Sequence, residues 1–161
     1  MSNKKNSTKK PPAIKNKKAR HEFKIGETFE AGLVLKGTEV KSLRDGKASL
    51  NEAFAYMKDG ELYLKNMYIK RYEQGSWANH DERRERKLLL KRRELNEIDK
   101  LVSQKGKTVV PLKLYFKNGY AKLLIGMAEG KKKYDKREDI KEKDLKREID
   151  RKIKGSHKIK L

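Results

Sequence analysis

The chain has 161 residues, with 44 Lys+Arg against 23 Asp+Glu, a net charge of +21 and 35% hydrophobic residues. It holds no cysteine, which excludes disulfides, thiol catalysis and cysteine-ligated metal. No apolar run approaches the roughly 18 residues of a membrane span, and no apolar segment of the secretory kind follows the basic N-terminus. The excess charge sits at the ends: residues 1–21 hold eight basic and no acidic residues, 131–161 hold fourteen and seven, and the stretch between holds 22 and 16. Such a balance calls for a polyanionic partner. Nucleic acid is the favoured one and an acidic membrane surface the competitor. The lack of cysteine fits a reducing cytoplasm.

Residues 1–18 read as a disordered basic arm, with only Ala13 and Ile14 to bury, too little to offset the entropy of ordering. From His21 the pattern turns to strand. Phe23, Ile25, Phe29, Ala31, Leu33 and Leu35 alternate with polar residues, and Gly26 and Gly32 mark bends or bulges. Thr38 to Leu43 makes one or two helical turns. Phe54 and Tyr56, then Leu62 and Leu64, flank Asp59-Gly60 and predict a hairpin whose second strand continues through Met67 and Ile69. Residues 71–80 form a loop. A helix capped by Asn79 or Asp81 is expected to run to about Ser103, its first half dense in arginine and lysine, with Gly106 closing it. A second hairpin turns at Asn118-Gly119, and Pro111 makes its first strand an edge or a bulge. In the tail from Lys131, Ile140, Leu145, Ile149 and Ile153 form a narrow apolar stripe on a helix that would be marginal alone.

The predicted fold is mainly β: five or six antiparallel strands closed into a small OB-like barrel, with one long and one short flanking helix. Residues 19–130 make the barrel, between the basic arm 1–18 and the basic tail 131–161. A split βαβ sheet fits less well, because its helices should alternate with strands.

Catalysis has little to stand on. His21, His80 and His157 lie apart in polar stretches with no metal-ligand spacing, and neither a phosphate-binding glycine loop nor a nucleophile motif occurs. The expectation is no enzyme, no metal and no cofactor. The segment Arg83 to Arg93 is the best electrostatic feature, and the leucine run 88–90 exceeds what one helix face buries, so one leucine is expected to be part-exposed. Tyr56, Tyr63, Tyr68, Tyr72, Trp77, Tyr115 and Tyr120 are candidates to stack on unpaired bases, although packing at the core or rim is the commoner fate of any one of them.

Five blocks then carry a resemblance: Asn16-Lys17-Lys18-Ala19 with His21-Glu22, EAGLVLKGTEVKSLRDGKASL (30–50), RKLLLKRREL (86–95), VVPLKLYFKNGYAKLLIG (109–126) and GKKKYDKRED (130–139). Taken in this order the sequence resembles the small protein B family of SsrA-binding proteins, partners of transfer-messenger RNA in bacterial trans-translation. The resemblance implies an RNA-binding adaptor that binds the tRNA-like domain of that RNA and delivers it to stalled ribosomes; composition alone would equally fit a ribosomal or rRNA-associated structural protein. Its partners would be the RNA, the ribosome through 16S rRNA, the decoding centre and the mRNA path, and elongation factor Tu through the charged RNA. The protein would be a cytoplasmic monomer with no membrane partner.

The positions matching the family's RNA-binding set are Asn16, Glu30 and Leu89. Lys17, Lys18, His21, Lys41, Arg44, Lys47, Arg83, Arg84, Arg86, Lys87 and Lys91 would supply contacts around them. A carboxylate such as Glu30 would accept from a base or ribose hydroxyl, or position a nearby cation, because phosphate repels it. The tail residues Lys132, Lys133, Tyr134, Asp135, Lys136 and Arg137 match the decoding-centre motif. Tyr134 stands where histidine is common, so a ring is present but an imidazolium is not. By the same resemblance the tail would be disordered when free and fold as a helix in the empty mRNA path. Lys158 to Leu161 match no motif.

Overall fold

Two Asx-Gly dipeptides set the two hairpins that organise the chain. Asp59 and Gly60 have φ of 50° and 76°, and Asn118 and Gly119 have φ of 51° and 80°. Positive φ at both central residues is what a two-residue turn needs to match strand twist. The computed structural model describes residues 11–75, 79–130, 141 and 143–151. The elements in order are β1 (Ile14–Lys15), α1 (Lys17–Glu22), β2 (Phe23–Leu33), α2 (Gly37–Arg44), β3 (Ala48–Ser49), β4 (Phe54–Lys58), β5 (Glu61–Lys65), β6 (Tyr68–Ile69), β7 (Arg86–Leu89), α3 (Arg92–Val102), β8 (Lys107–Lys117) and β9 (Tyr120–Gly130).

The large sheet has the order β1-β8-β4-β5-β7-β2-β9, and β8 also pairs with β9. That extra pairing closes the sheet into a ring, so the strands from β8 round to β9 have no open edge. The mainly β, barrel-like architecture is the one the alternating runs predicted. Ala31, Ala55, Leu62, Leu64, Leu88, Val109, Leu114, Leu123 and Ile125 fill the interior. The register of β8 on β9 shifts between Pro111 and Lys113, the bulge expected where proline cannot donate.

Three local expectations are corrected. Residues 81–91 are not the first half of a helix. Asp81 accepts from the Arg83 amide at 3.0 Å, which makes a turn. Residues 86–89 then alternate in burial as β7, because β5 needs a partner to close the ring. The helix starts only at Arg92, where the Glu94 side chain accepts from the Lys91 amide at 3.2 Å. The strand after the first hairpin ends at Lys65. Asn66 has φ of 65°, and Tyr68–Ile69 leaves the barrel to pair with Ala48–Ser49.

The basic arm, lastly, is structured from Ile14 onward. Ile14 pairs with Leu114 and packs on the core. Asn16 follows, 5% exposed. Its Oδ1 accepts from the Ala19 amide at 3.1 Å, and its Nδ2 donates to the carbonyls of Pro111 at 2.8 Å and Leu50 at 3.3 Å. One side chain thus caps α1 and ties it to two other segments. Asn16→Ala is expected to cost about 1–3 kcal/mol, because it removes the cap and orphans buried carbonyls. Asn16→Asp keeps the acceptor but sets a carboxylate oxygen against the two carbonyls that Nδ2 now satisfies, so its urea midpoint should fall at or below that of Asn16→Ala.

Residues 130–161 form a separate unit. Within it 143–151 is helical and every described side chain is exposed, including Leu145 at 59% and Ile149 at 49%.

Candidate RNA-binding face

The outer surface where β7 meets β2 is built around a missing side chain. Gly32 pairs with Leu89, and a Cβ on Gly32 would stand 3.3 Å from the Leu89 Cβ. Leu89 lies over that gap, 51% exposed, and Val34 nearby is 44% exposed. This is the part-exposed leucine expected of the triple-leucine run, but it comes from strand alternation in β7 and not from a crowded helix face.

Glu30 points outward on the same strand, two residues before Gly32. Its Oε2 accepts from the Tyr115 hydroxyl, and its Oε1 is 3.6 Å from Lys117 Nζ. The Tyr115 hydrogen bond, with Lys117 and Lys122 beside it, holds the Glu30 carboxyl below the usual glutamate range. Burial and the same carboxylate push the Tyr115 hydroxyl up to about 12. Glu30 is therefore an ionised acceptor oriented by Tyr115, with lysines beside it, on the same outer face as Leu89. Tyr115→Phe should leave the fold intact, free the carboxylate to rotate, and raise the Glu30 pKa in an NMR titration toward the ordinary value of 4.5.

The other sequence-predicted residues divide into three places. On α1, Lys17 and His21 are exposed, whereas Lys18 pairs with Glu52 at 2.5 Å and Asn16 is wholly engaged within the fold. On and after α2, Arg44 is exposed, Lys41 lies 5.5 Å over the Tyr72 ring, and Lys47 is 3.6 Å from Glu73. Around β7, Arg83 is exposed over the Tyr68 ring at 5.5 Å, Lys87 faces outward and Lys91 is exposed.

Arg86 and Arg84 differ from the rest. Arg86 is fully buried. Its Nε donates to Glu39, and its remaining nitrogens donate to the carbonyls of Met67 at 2.7 Å and Glu82 at 3.3 Å. Arg84 reaches the other Glu39 oxygen at 2.5 Å. Neither guanidinium is free for phosphate. The basic segment is in part an internal ion-pair network, and nothing in GTEVKSLR marks Glu39 as its buried partner.

His80 is also internal, 2% exposed. Its ring nitrogens meet Thr38 Oγ1 and the Ile69 carbonyl, each at 2.9 Å, so Nε2 carries the proton that is donated to the carbonyl. Among the described residues no group of three or more His, Asp or Glu could hold a metal, and no helix is long and apolar enough to cross a membrane. Trp77, His157, the tail residues Lys132 to Arg137 and Lys158 to Leu161 lie outside the described residues.

A ring-closed antiparallel barrel, basic on its outside, with an oriented carboxylate and a bare leucine on one face, is of the OB-like class, which includes nucleic-acid-binding barrels. The chain belongs to the SmpB protein family, whose model matches residues 13–155; this is a family of RNA-binding adaptors, not enzymes. It is 56% identical over 144 residues to the SsrA-binding protein of Geobacillus thermodenitrificans, covering 89% of this chain and 93% of that one. It is 54% identical over 143 residues to the SsrA-binding protein of Bacillus subtilis, covering 89% and 92%. A chain of the solved structure described as "tmRNA-SmpB: a journey to the center of the bacterial ribosome" matches at a TM-score of 0.65 and 58% identity, over 76% of this chain and 86% of that one.

Proposed function

We propose that this protein binds transfer-messenger RNA and acts with it on bacterial ribosomes in trans-translation. The observation that carries this is family membership across residues 13–155, in which the relatives are SsrA-binding proteins and the structural neighbour is described with tmRNA and the ribosome. The site gives it a physical form. Glu30 accepts from a base edge or ribose hydroxyl of the tRNA-like domain, Leu89 makes an apolar contact, and Arg83, Lys87 and Lys91 face phosphates. Asn16 contributes by fixing α1 rather than by touching RNA. The tail enters the empty mRNA path of a stalled ribosome, with Lys132 to Arg137 at the decoding centre, and elongation factor Tu joins through the charged RNA. Such work places a monomeric protein in the cytoplasm, where stalled ribosomes are.

The test is the RNA that copurifies with the full chain, sequenced, together with a salt titration of binding to the tRNA-like domain. Arg83→Glu and Lys87→Glu should each reduce the slope of log affinity against log salt by roughly 0.7–0.9 per lost phosphate contact. Unchanged slopes would show that these cations are only solvated.

A further inference from the structure

The outer face of β4 and β5, on the far side of β7 from Glu30, carries a feature that the RNA contacts above leave unused. Ala55, Leu62 and Leu64 point into the core, so the alternate positions Phe54, Tyr56 and Tyr63 point out. Phe54 is 37% exposed. The Phe54 and Tyr56 ring centroids are 6.3 Å apart, and so are those of Tyr56 and Tyr63. Three rings thus form a continuous stripe across two paired strands.

Lysines surround it. Lys65 stands opposite Phe54, Lys87 stands opposite Tyr63, and Lys58 Nζ lies 5.7 Å over the Tyr63 ring. Of the neighbouring carboxylates, Glu61 pairs with Arg92 at 3.2 Å, while Glu85 accepts from the Tyr56 hydroxyl and keeps its charge. Beside Phe54 the surface drops into a cavity of about 240 Å³, walled also by Phe23, Ala53 and Val110, with Lys18, Glu22 and Glu52 as its charged lining. Pockets for drug-sized ligands run to roughly 300–1,000 Å³, so this one suits a single base.

We propose that this stripe is a stacking platform for unpaired RNA nucleotides, Phe54, Tyr56 and Tyr63 each presenting a π-face and Lys58 and Lys65 tracking the phosphates. Charge complementarity selects the occupant: a line of rings fenced by cations matches a strand whose bases are splayed and whose backbone is anionic. A paired helix cannot use the rings, because its bases are stacked on each other. The proposal rests on RNA being the partner of this protein, and it names the part of the RNA that the β4–β5 face takes.

The experiment uses the full chain and two probes: a fluorescent oligouridylate of about eight nucleotides, within the site sizes of OB barrels, and the tRNA-like domain RNA. Tyr63→Leu and Phe54→Leu keep apolar bulk and remove the π-face; Tyr63→Phe keeps the ring. Thermal melts establish that each variant is folded. The leucine variants are expected to bind oligouridylate about 5- to 150-fold more weakly, the range for one lost base–aromatic stack. Tyr63→Phe should bind as wild type does, and the salt slope should stay unchanged throughout, because a neutral ring releases no counterions.

Equal oligouridylate binding by wild type and folded leucine variants overturns the platform. So does a wild type that binds the tRNA-like domain but no oligouridylate, a result that leaves the proposed function standing. A wild type that binds neither RNA overturns both. Leucine variants that keep both RNA affinities but lose ribosome binding would make the stripe a ribosome-docking surface and overturn its assignment to unpaired nucleotides.

Discussion

Arg86→Met is expected to destabilise the fold by about 3–5 kcal/mol, the cost of leaving a buried charge without its partner, and to leave the salt slope of RNA binding unchanged. Arg86 is fully buried and links Glu39 on α2 to the carbonyls of Met67 and Glu82, so it joins β7 to the crossing segment from β6. Arg84 remains on Glu39 at 2.5 Å, which should keep the loss near the lower end of that range. Chemical denaturation measures the first quantity and a salt titration the second. If Arg86→Met folded with wild-type stability, the network would be incidental.

The same network sets an acid dependence. Burial alone would raise the Glu39 carboxyl, but donors from Arg84, the Lys36 amide and Arg86 outweigh it and hold the pKa below 4.5. A carboxyl depressed in the folded state adds stability above its unfolded pKa, and that stability is lost as pH falls through the folded value. Stability should therefore decline below about pH 4.5. Glu39→Gln should start lower at neutral pH and lose less across that window.

Truncation after Gly130 is expected to abolish ribosome rescue while leaving the barrel folded and bound to the tRNA-like domain. The cut removes 31 residues carrying fourteen basic and seven acidic side chains, and it falls at the boundary between the two compact units. Among the described residues, no strand of the ring lies beyond it. Long-range attraction of the lost cations for phosphate should go, seen as weaker nonspecific binding at low salt. On the proposed function, tagging of a stalled nascent chain should fail, because the tail assigned to the messenger path would be gone. Ile149→Pro is the finer probe. It falls inside the helical stretch 143–151, where proline removes a donor and costs about 3 kcal/mol or more. It should impair tagging and leave binding of free RNA intact. Full-rate tagging by the truncated protein would reduce the tail to a dispensable basic extension.

The sequence by itself determined the features that rest on local chemistry. Asp59-Gly60 and Asn118-Gly119 specify their hairpins because few residues adopt two successive positive φ values. The alternation from Phe23 to Leu33 specifies β2 because side chains in a strand have a period of two. Pro111 announces its bulge because it has no donor. The resemblance blocks identified the family without any of this geometry.

Only the tertiary structure decided the stretch from Asp81 to Leu90. Its arginines and leucines have good helix propensity, and propensity yields when a barrel must close. Pairing with β2 and β5 turned four of its residues into β7. That change of period reversed the meaning of its charges, since a strand buries alternate residues. Arg86 went inside to meet Glu39, 47 residues away in sequence, and Leu89 came out over Gly32. The same alternation placed Phe54, Tyr56 and Tyr63 outside and Leu62 and Leu64 inside. Asn16 reads as a polar residue in a basic arm; its use as a tie came from the Pro111 carbonyl 95 residues on. A side chain's neighbours within four residues can be read from the sequence, but partners brought together by ring closure exist only once the ring has formed.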